Sequence, residues 1–263
     1  MVILYILAAA MGAVVLYLLF LLVCALLVNP RKNYETHSKF YRFLLNSATA
    51  AAIKITRVHV HTTGTEKLPK NEKLLFVGNH ISNFDPIVTW YTFLNWKVSF
   101  ISKPENFKIP LFGRIIRKCC FLPIDRENPR KAIHTINQAA KLLKTQEVSI
   151  GVYPEGTRSK TARLLPFHNG VFKIAQKADA AVSVVCVRNT NQIHRNYPWR
   201  RTDVYLDVLE VLPAANVKAA GTQMLSIATE HLLKQHIESR DCCQRIEAFL
   251  YVLWLQRKNH LTW

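Results

Sequence analysis

"KLLFVGNHISNFDP", residues 73 to 86, decides how the chain is read. Its first half is an apolar run that reads as a buried strand ending at His80. Its second half ends in Asp85-Pro86, a helix start, because Asp is a favoured N-cap and Pro a favoured first helical residue. A buried strand, a polar loop and a helix make the unit from which an α/β sheet is assembled. Within that unit His80 and Asp85 stand five positions apart. On one straight helix their side chains would point about 140° apart, so they meet only if the chain between them is irregular. Two readings follow from the segment alone: a paired imidazole and carboxylate, or a capped turn beside an ordinary loop histidine.

Outward from this stretch the same unit recurs. "VHVHTTG" (58 to 64) alternates like an edge strand, with His59 and His61 as strand residues. After the helix that begins near Pro86 come a strand at 97 to 102, a helix at 129 to 145, the strand "VSIGVYP" (148 to 154) and a helix at 170 to 178. The strands "AVSVVCV" (181 to 187) and "DVYLDVLEV" (203 to 211) follow, then helical stretches at about 215 to 238 and 240 to 257. Alternation of this kind predicts an α/β fold with a mostly parallel sheet flanked by helices. Three segments result: 1–56 as N-terminal anchor and interfacial helices, 57–212 as the α/β domain, and 213–263 as a helical segment packed on it.

Toward the N-terminus, no charged residue occurs from Val2 to Pro30, and about 20 apolar residues already span a bilayer as a helix. Without a basic start, and with a run far longer than a signal-peptide core, the segment reads as a retained membrane anchor. Arg31, Lys32, Lys39 and Arg42 follow it, which places the rest of the chain on the cytoplasmic face if the helix spans. The stretch "FYRFLLNSATAAAIKI" (40 to 55) reads as an interfacial or membrane-packed helix, or as a soluble amphipathic one.

Composition narrows the partners. Among 263 residues, 35 Lys and Arg face 17 Asp and Glu, a formal charge of +18 that calls for an anionic partner. The cations are dispersed, without zinc-finger spacing or an RNP-like aromatic pattern, so membrane lipid is expected and no nucleic acid. Six cysteines, at 24, 119, 120, 186, 242 and 243, include no C-x-x-C pair. They read as reduced and structural, and no metal site is expected.

Three polar motifs fall just after predicted strands, where ligands of open α/β sheets bind. The first holds His80 and Asp85. The second, "SKPENFKIPLFGRIIRKCCFLPIDR" (102 to 126), ends in Arg126. The third is "YPEGTRS" (153 to 159), in which Gly156 frees the backbone, Thr157 offers a hydroxyl and Arg158 a planar fork suited to phosphate. Taken alone, Glu155 and Arg158 also fit a turn with a surface ion pair. An imidazole with a carboxylate behind it can take a proton from a hydroxyl that attacks a thioester carbonyl, without a protein nucleophile. The chain has no G-x-S-x-G elbow and no Walker loop, which excludes the common serine-hydrolase and P-loop patterns.

These blocks resemble those of the PlsC-type glycerolipid acyltransferases, most closely the 1-acyl-sn-glycerol-3-phosphate acyltransferases, over roughly residues 58 to 190. His80 and Asp85 match the H-x-x-x-x-D motif, the block with Lys103, Pro110, Gly113 and Arg126 matches the second motif, and "YPEGTRS" matches the third. The resemblance implies that His80 is the base, Asp85 its orienting partner, and that Lys103, Arg126, Glu155, Gly156, Thr157 and Arg158 serve the phosphorylated acceptor. It also implies membrane association and transfer of a fatty acyl group from acyl-CoA or acyl carrier protein to lysophosphatidic acid, giving phosphatidic acid, with no cofactor. A sister enzyme with another lysophospholipid or glycerol 3-phosphate as acceptor is the alternative; a non-catalytic lipid-binding protein is the alternative of another class. The likeness breaks at Ala181 and Val184, where prolines are usual, and at Asn106, where an apolar residue is.

Overall fold

The structure, a computed structural model, describes residues 1–161 and 163–239. The helix expected at 240 to 257, and Cys242 and Cys243, lie outside the described residues. In chain order the elements are α1 (Val2–Leu26), α2 (Lys39–Ile55), β1 (Val58–Thr63), β2 (Leu75–Gly78), α3 (Asp85–Thr92), β3 (Ser99–Ser102), α4 (Phe112–Lys118) and β4 (Leu122–Pro123). Then follow α5 (Pro129–Lys144), β5 (Ile150–Val152), α6 (Lys173–Ala178), β6 (Val182–Arg188), α7 (Ile193–Asn196), β7 (Thr202–Leu212), α8 (Ala214–Ala219) and α9 (222–239). The single helix expected at 215 to 238 is thus two, broken at residues 220 and 221.

The strands form one sheet in the order β1-β7-β6-β2-β5-β3-β4. The five from β6 to β4 run parallel, and β7 with its parallel neighbour β1 runs the other way, joined antiparallel at β6. Strand β2 lies in the middle with all four residues buried, as a parallel strand covered on both faces must be. Its burial explains the unbroken apolar run from Leu74 to Gly78. Helix α5 shows the flanking layer: Asn128 caps it by accepting from the Lys131 N–H at 3.1 Å, and Pro129 opens it. Its buried Ile136, Ala139, Ala140 and Leu143 fall at helical spacing against the sheet.

Helix α1 is long and apolar enough to cross a membrane and is exposed along most of its length. Only its last turn and the residues just after it are packed, with Cys24, Ala25 and Val28 buried. The Tyr41 hydroxyl donates to the Cys24 carbonyl at 2.7 Å, and Arg114 donates to the Ala25 carbonyl at 3.2 Å. Helix α2 places Tyr41, Leu44, Leu45 and Ile53 in the same apolar cluster as Phe76, Val88 and Phe100. Residues before 56 therefore share a core with the strands after it. Arg42, counted from sequence among the juxtamembrane cations, is instead buried: it donates to the Val98 carbonyl at 3.2 Å and Ser99 Oγ at 3.1 Å, and lies over the Trp90 ring. Cys24, Cys119 and Cys120 are buried free thiols, and burial pushes the thiols of Cys119 and Cys120 up to about 12, which keeps them protonated and unreactive.

Candidate active site

Because five strands are parallel, the loops that leave their carboxyl ends gather along one edge of the sheet. His80 follows β2, Lys103 follows β3, Arg126 follows β4, the 153–159 loop follows β5, and Thr190 follows β6. A cavity of about 540 Å³ opens there, lined by His80, Lys103, Arg126, Gly156, Thr157 and Arg158 at its polar part. Buried Trp90, Phe100, Ile116 and Phe121, with Leu45, Pro86 and Ile87, line its apolar part. The three sequence motifs share one crevice.

Asp85 is the first residue of α3 rather than its N-cap, and its carboxylate does not cap its own helix. It turns back on the loop instead. Its Oδ2 accepts from His80 Nδ1 at 2.7 Å, from the Ile81 N–H at 2.7 Å and from the Ser82 N–H at 2.8 Å. Its Oδ1 accepts from the Thr190 hydroxyl. Asp85 is fully buried, whereas the His80 side chain keeps 19% of its surface open. With Nδ1–H committed to a carboxylate that is acceptor-only, Nε2 is the ring nitrogen left without a proton, on a residue that lines the cavity.

Further contacts fix the imidazole. Its ring stacks on Tyr153 with centroids 4.5 Å apart, and Tyr153 stacks in turn on Phe100. Burial pushes the Tyr153 phenol well above its ordinary value, with the Asp85 charge adding to it, so it stays a neutral platform. The His80 carbonyl accepts from the Ser159 N–H at 2.8 Å. The preceding residue, Asn79, closes a two-point bond with β6, donating to the Val187 carbonyl and accepting from its N–H, both at 2.8 Å.

Glu155 sits differently from its neighbours in the third motif. It is buried and does not line the cavity. Its Oε1 accepts from the His80 N–H at 2.5 Å and its Oε2 from the Leu165 N–H at 2.9 Å. Burial raises its pKa, against the two backbone bonds that favour the charged form. Gly156 has φ +72°, and a Cβ there would stand 3.0 Å from the His168 ring. Thr157 and Arg158 are exposed at the mouth. Partial burial lowers the pKa of Arg126, with Glu105 pulling the other way; an arginine stays charged through such a shift. Asn106 lines the same cavity and donates to Ser102 Oγ at 2.6 Å. Among the described residues no group of three or more His, Cys, Asp or Glu is placed to hold a metal ion.

Sequence reasoning missed Thr190 and Asn79. Thr190 lies 105 positions from Asp85 and carries no local signal. Asn79 did offer one, a polar residue at the end of a buried strand, where an unpaired amide would be costly.

A family model described as "Acyltransferase" matches residues 59–188. The 1-acyl-sn-glycerol-3-phosphate acyltransferase of Salmonella typhimurium is 33% identical over 171 residues, covering 64% of this chain and 68% of that protein. The Haemophilus influenzae protein of the same name is 28% identical over 180 residues, covering 66% and 74%. The crystal structure of the 1-acyl-sn-glycerophosphate acyltransferase PlsC from Thermotoga maritima superposes with a TM-score of 0.66 at 24% identity, covering 86% of this chain and 89% of that one.

Proposed function

Because the chain belongs to the 1-acyl-sn-glycerol-3-phosphate acyltransferase family, we propose that it transfers a fatty acyl group from a thioester to the sn-2 hydroxyl of lysophosphatidic acid. The observation that carries this reading is the 2.7 Å bond from His80 Nδ1 to a buried Asp85, beside a cavity that is cationic in one part and apolar in another. In this reading Nε2 of His80 takes the proton of the acceptor hydroxyl as its oxygen bonds to the thioester carbonyl carbon. The carbon–sulfur bond then breaks, and the proton passes from His80 to the leaving thiolate. Asp85 holds the tautomer and steadies the imidazolium. Arg158, Arg126 and Lys103 supply cations for the acceptor phosphate, and the guanidinium groups offer it two-point bonds. Trp90, Phe100, Ile116 and Phe121 take an acyl chain. Glu155 is a positioning residue, holding the His80 and Leu165 backbone, and Gly156 leaves room beside His168.

The donor is acyl-CoA or acyl carrier protein, and the domain faces the cytoplasm. The charges that support this orientation are Arg31, Lys32 and Lys39, since Arg42 is committed to the core. The test is acyl transfer by the purified protein in detergent, with labelled acyl-CoA or acyl carrier protein, across lysophosphatidic acid, other lysophospholipids and glycerol 3-phosphate. Transfer to lysophosphatidic acid is expected to exceed the rest. A preference for glycerol 3-phosphate, or no transfer to any acceptor, overturns the reading.

A further inference from the structure

A second cleft, of about 680 Å³, lies where α1 ends, against the chain from Pro104 to Leu111 and one face of α4. Its apolar lining comes from both sides, Leu22 and Leu26 of α1 facing Phe107 and Ile109. Its charged lining has one sign: Arg31, Lys108, Arg114 and Arg117, with no Asp or Glu among the lining residues. Arg114 and Arg117 are braced, on the Ala25 carbonyl and on Asn33 Oδ1 (3.0 Å), and Arg117 Nε is buried with no partner. Among the described residues the side chains of Arg31 and Lys108 have no ion-pair or hydrogen-bond partner.

We infer that this cleft is a binding site for an anionic phospholipid of the bilayer into which α1 runs. Arg114 and Arg117 are half-buried without a counterion and Arg31 and Lys108 stand exposed beside them, so the cleft favours an anion, and the apolar residues among them suit a ligand that is also greasy. A nearly unbroken apolar helix leads out of the cleft, so the ligand that arrives along it is a membrane lipid rather than a soluble phosphate. The volume falls within the usual 300–1,000 Å³ or so of a small-ligand pocket, enough for a head group and part of one chain. The phosphate lies among Arg31, Lys108 and Arg114, and the chain runs along Leu22 and Leu26. Ile109 lines both this cleft and the catalytic cavity, so the bound lipid rests on the wall between them.

The site is tested with the full-length protein in nanodiscs containing a trace of photoreactive diacyl phosphatidylglycerol or, in parallel, phosphatidylcholine of the same chains. Label is mapped by peptide mass spectrometry. Bulk bilayer contact labels α1 with both lipids; the cleft is read from the phosphatidylglycerol to phosphatidylcholine ratio on residues 104–111. A ratio well above one is expected, falling roughly tenfold in Arg31→Gln/Lys108→Gln. Lys173→Gln/Lys234→Gln, exposed cations elsewhere, should leave it unchanged. Equal labelling by the two lipids, a ratio indifferent to the cleft variant, or an equal fall in the remote variant overturns the inference. None of these readouts depends on acyl transfer.

Discussion

Two loops that leave neighbouring parts of the sheet in the same direction are built on opposite plans. The loop from Gly78 to Asp85 is tied at almost every residue: Asn79 to β6, His80 to Asp85, Glu155 and Ser159, and Ile81 and Ser82 to Asp85. The loop from Lys103 to Phe112, after β3, leaves Lys103, Glu105, Lys108, Ile109 and Pro110 exposed. It ends in a tight turn in which the Phe112 N–H donates to the Pro110 carbonyl at 2.7 Å and Leu111 sits at φ +61°, a strained value for a branched side chain. The first loop holds an atom still; the second, pinned by the buried Phe107 and largely exposed elsewhere, is the wall between the two cavities.

The contrast breaks if the tied loop tolerates change. His80→Ala should lower kcat on the order of 10²–10⁴-fold with the fold intact, measured by steady-state kinetics and circular dichroism. Near-normal kcat would reduce the His80–Asp85 bond to a structural tie of the loop. Arg158→Ala, exposed at the cavity mouth, should act on binding: losing a charge-assisted bond of about 1.5–3 kcal/mol raises the KM for the acceptor roughly 10–150-fold, with kcat largely kept. A fall in kcat alone would move Arg158 from the acceptor to the chemical step.

Glu155 sharpens the comparison because backbone N–H groups occupy both its carboxylate oxygens. Glu155→Ala bares two backbone N–H groups, each costing about 1–3 kcal/mol if left without a partner, and should lower the unfolding midpoint while reducing kcat through a displaced His80. If only the acceptor KM rises and stability is unchanged, Glu155 contacts the acceptor after all. The smallest effect is expected in the exposed wall. Leu111→Gly relieves the positive φ but frees the unfolded chain, so stability should shift by less than about 1 kcal/mol in chemical denaturation. Two residues on, Gly113→Ala should cost more, since a Cβ there would stand 2.4 Å from the Phe107 carbonyl oxygen.

What could be read in advance follows the range of the interactions. The period-two and apolar runs located all seven strands but the two-residue β4, because burial on one or both faces leaves its mark residue by residue. Strand direction leaves none: nothing in "DVYLDVLEV" says that β7 runs against β6. The motif residues around the cavity were legible as types, since an imidazole, a carboxylate and a guanidinium advertise their chemistry. Their assignments were less so. Glu155 looks like any turn acid until Leu165 and His80 are seen to use both its oxygens. Arg42 looks like a juxtamembrane cation until Trp90, Val98 and Ser99 surround it. Both depend on partners 10 to 75 positions away, which no local pattern encodes.

The bonds from Tyr41 and Arg114 to the carbonyls of Cys24 and Ala25 make the end of the anchor a part of the catalytic body rather than a leash. A leashed enzyme searches a hemisphere of solution around its tether point. A body docked on its anchor instead keeps its cavity at one height and one tilt above a bilayer that α1 enters, so that a lipid acceptor would reach it by sideways diffusion. Lengthening α1 by a turn would therefore lift or tip the whole body by about 5 Å, and with it the mouth through which an amphiphile leaves the leaflet.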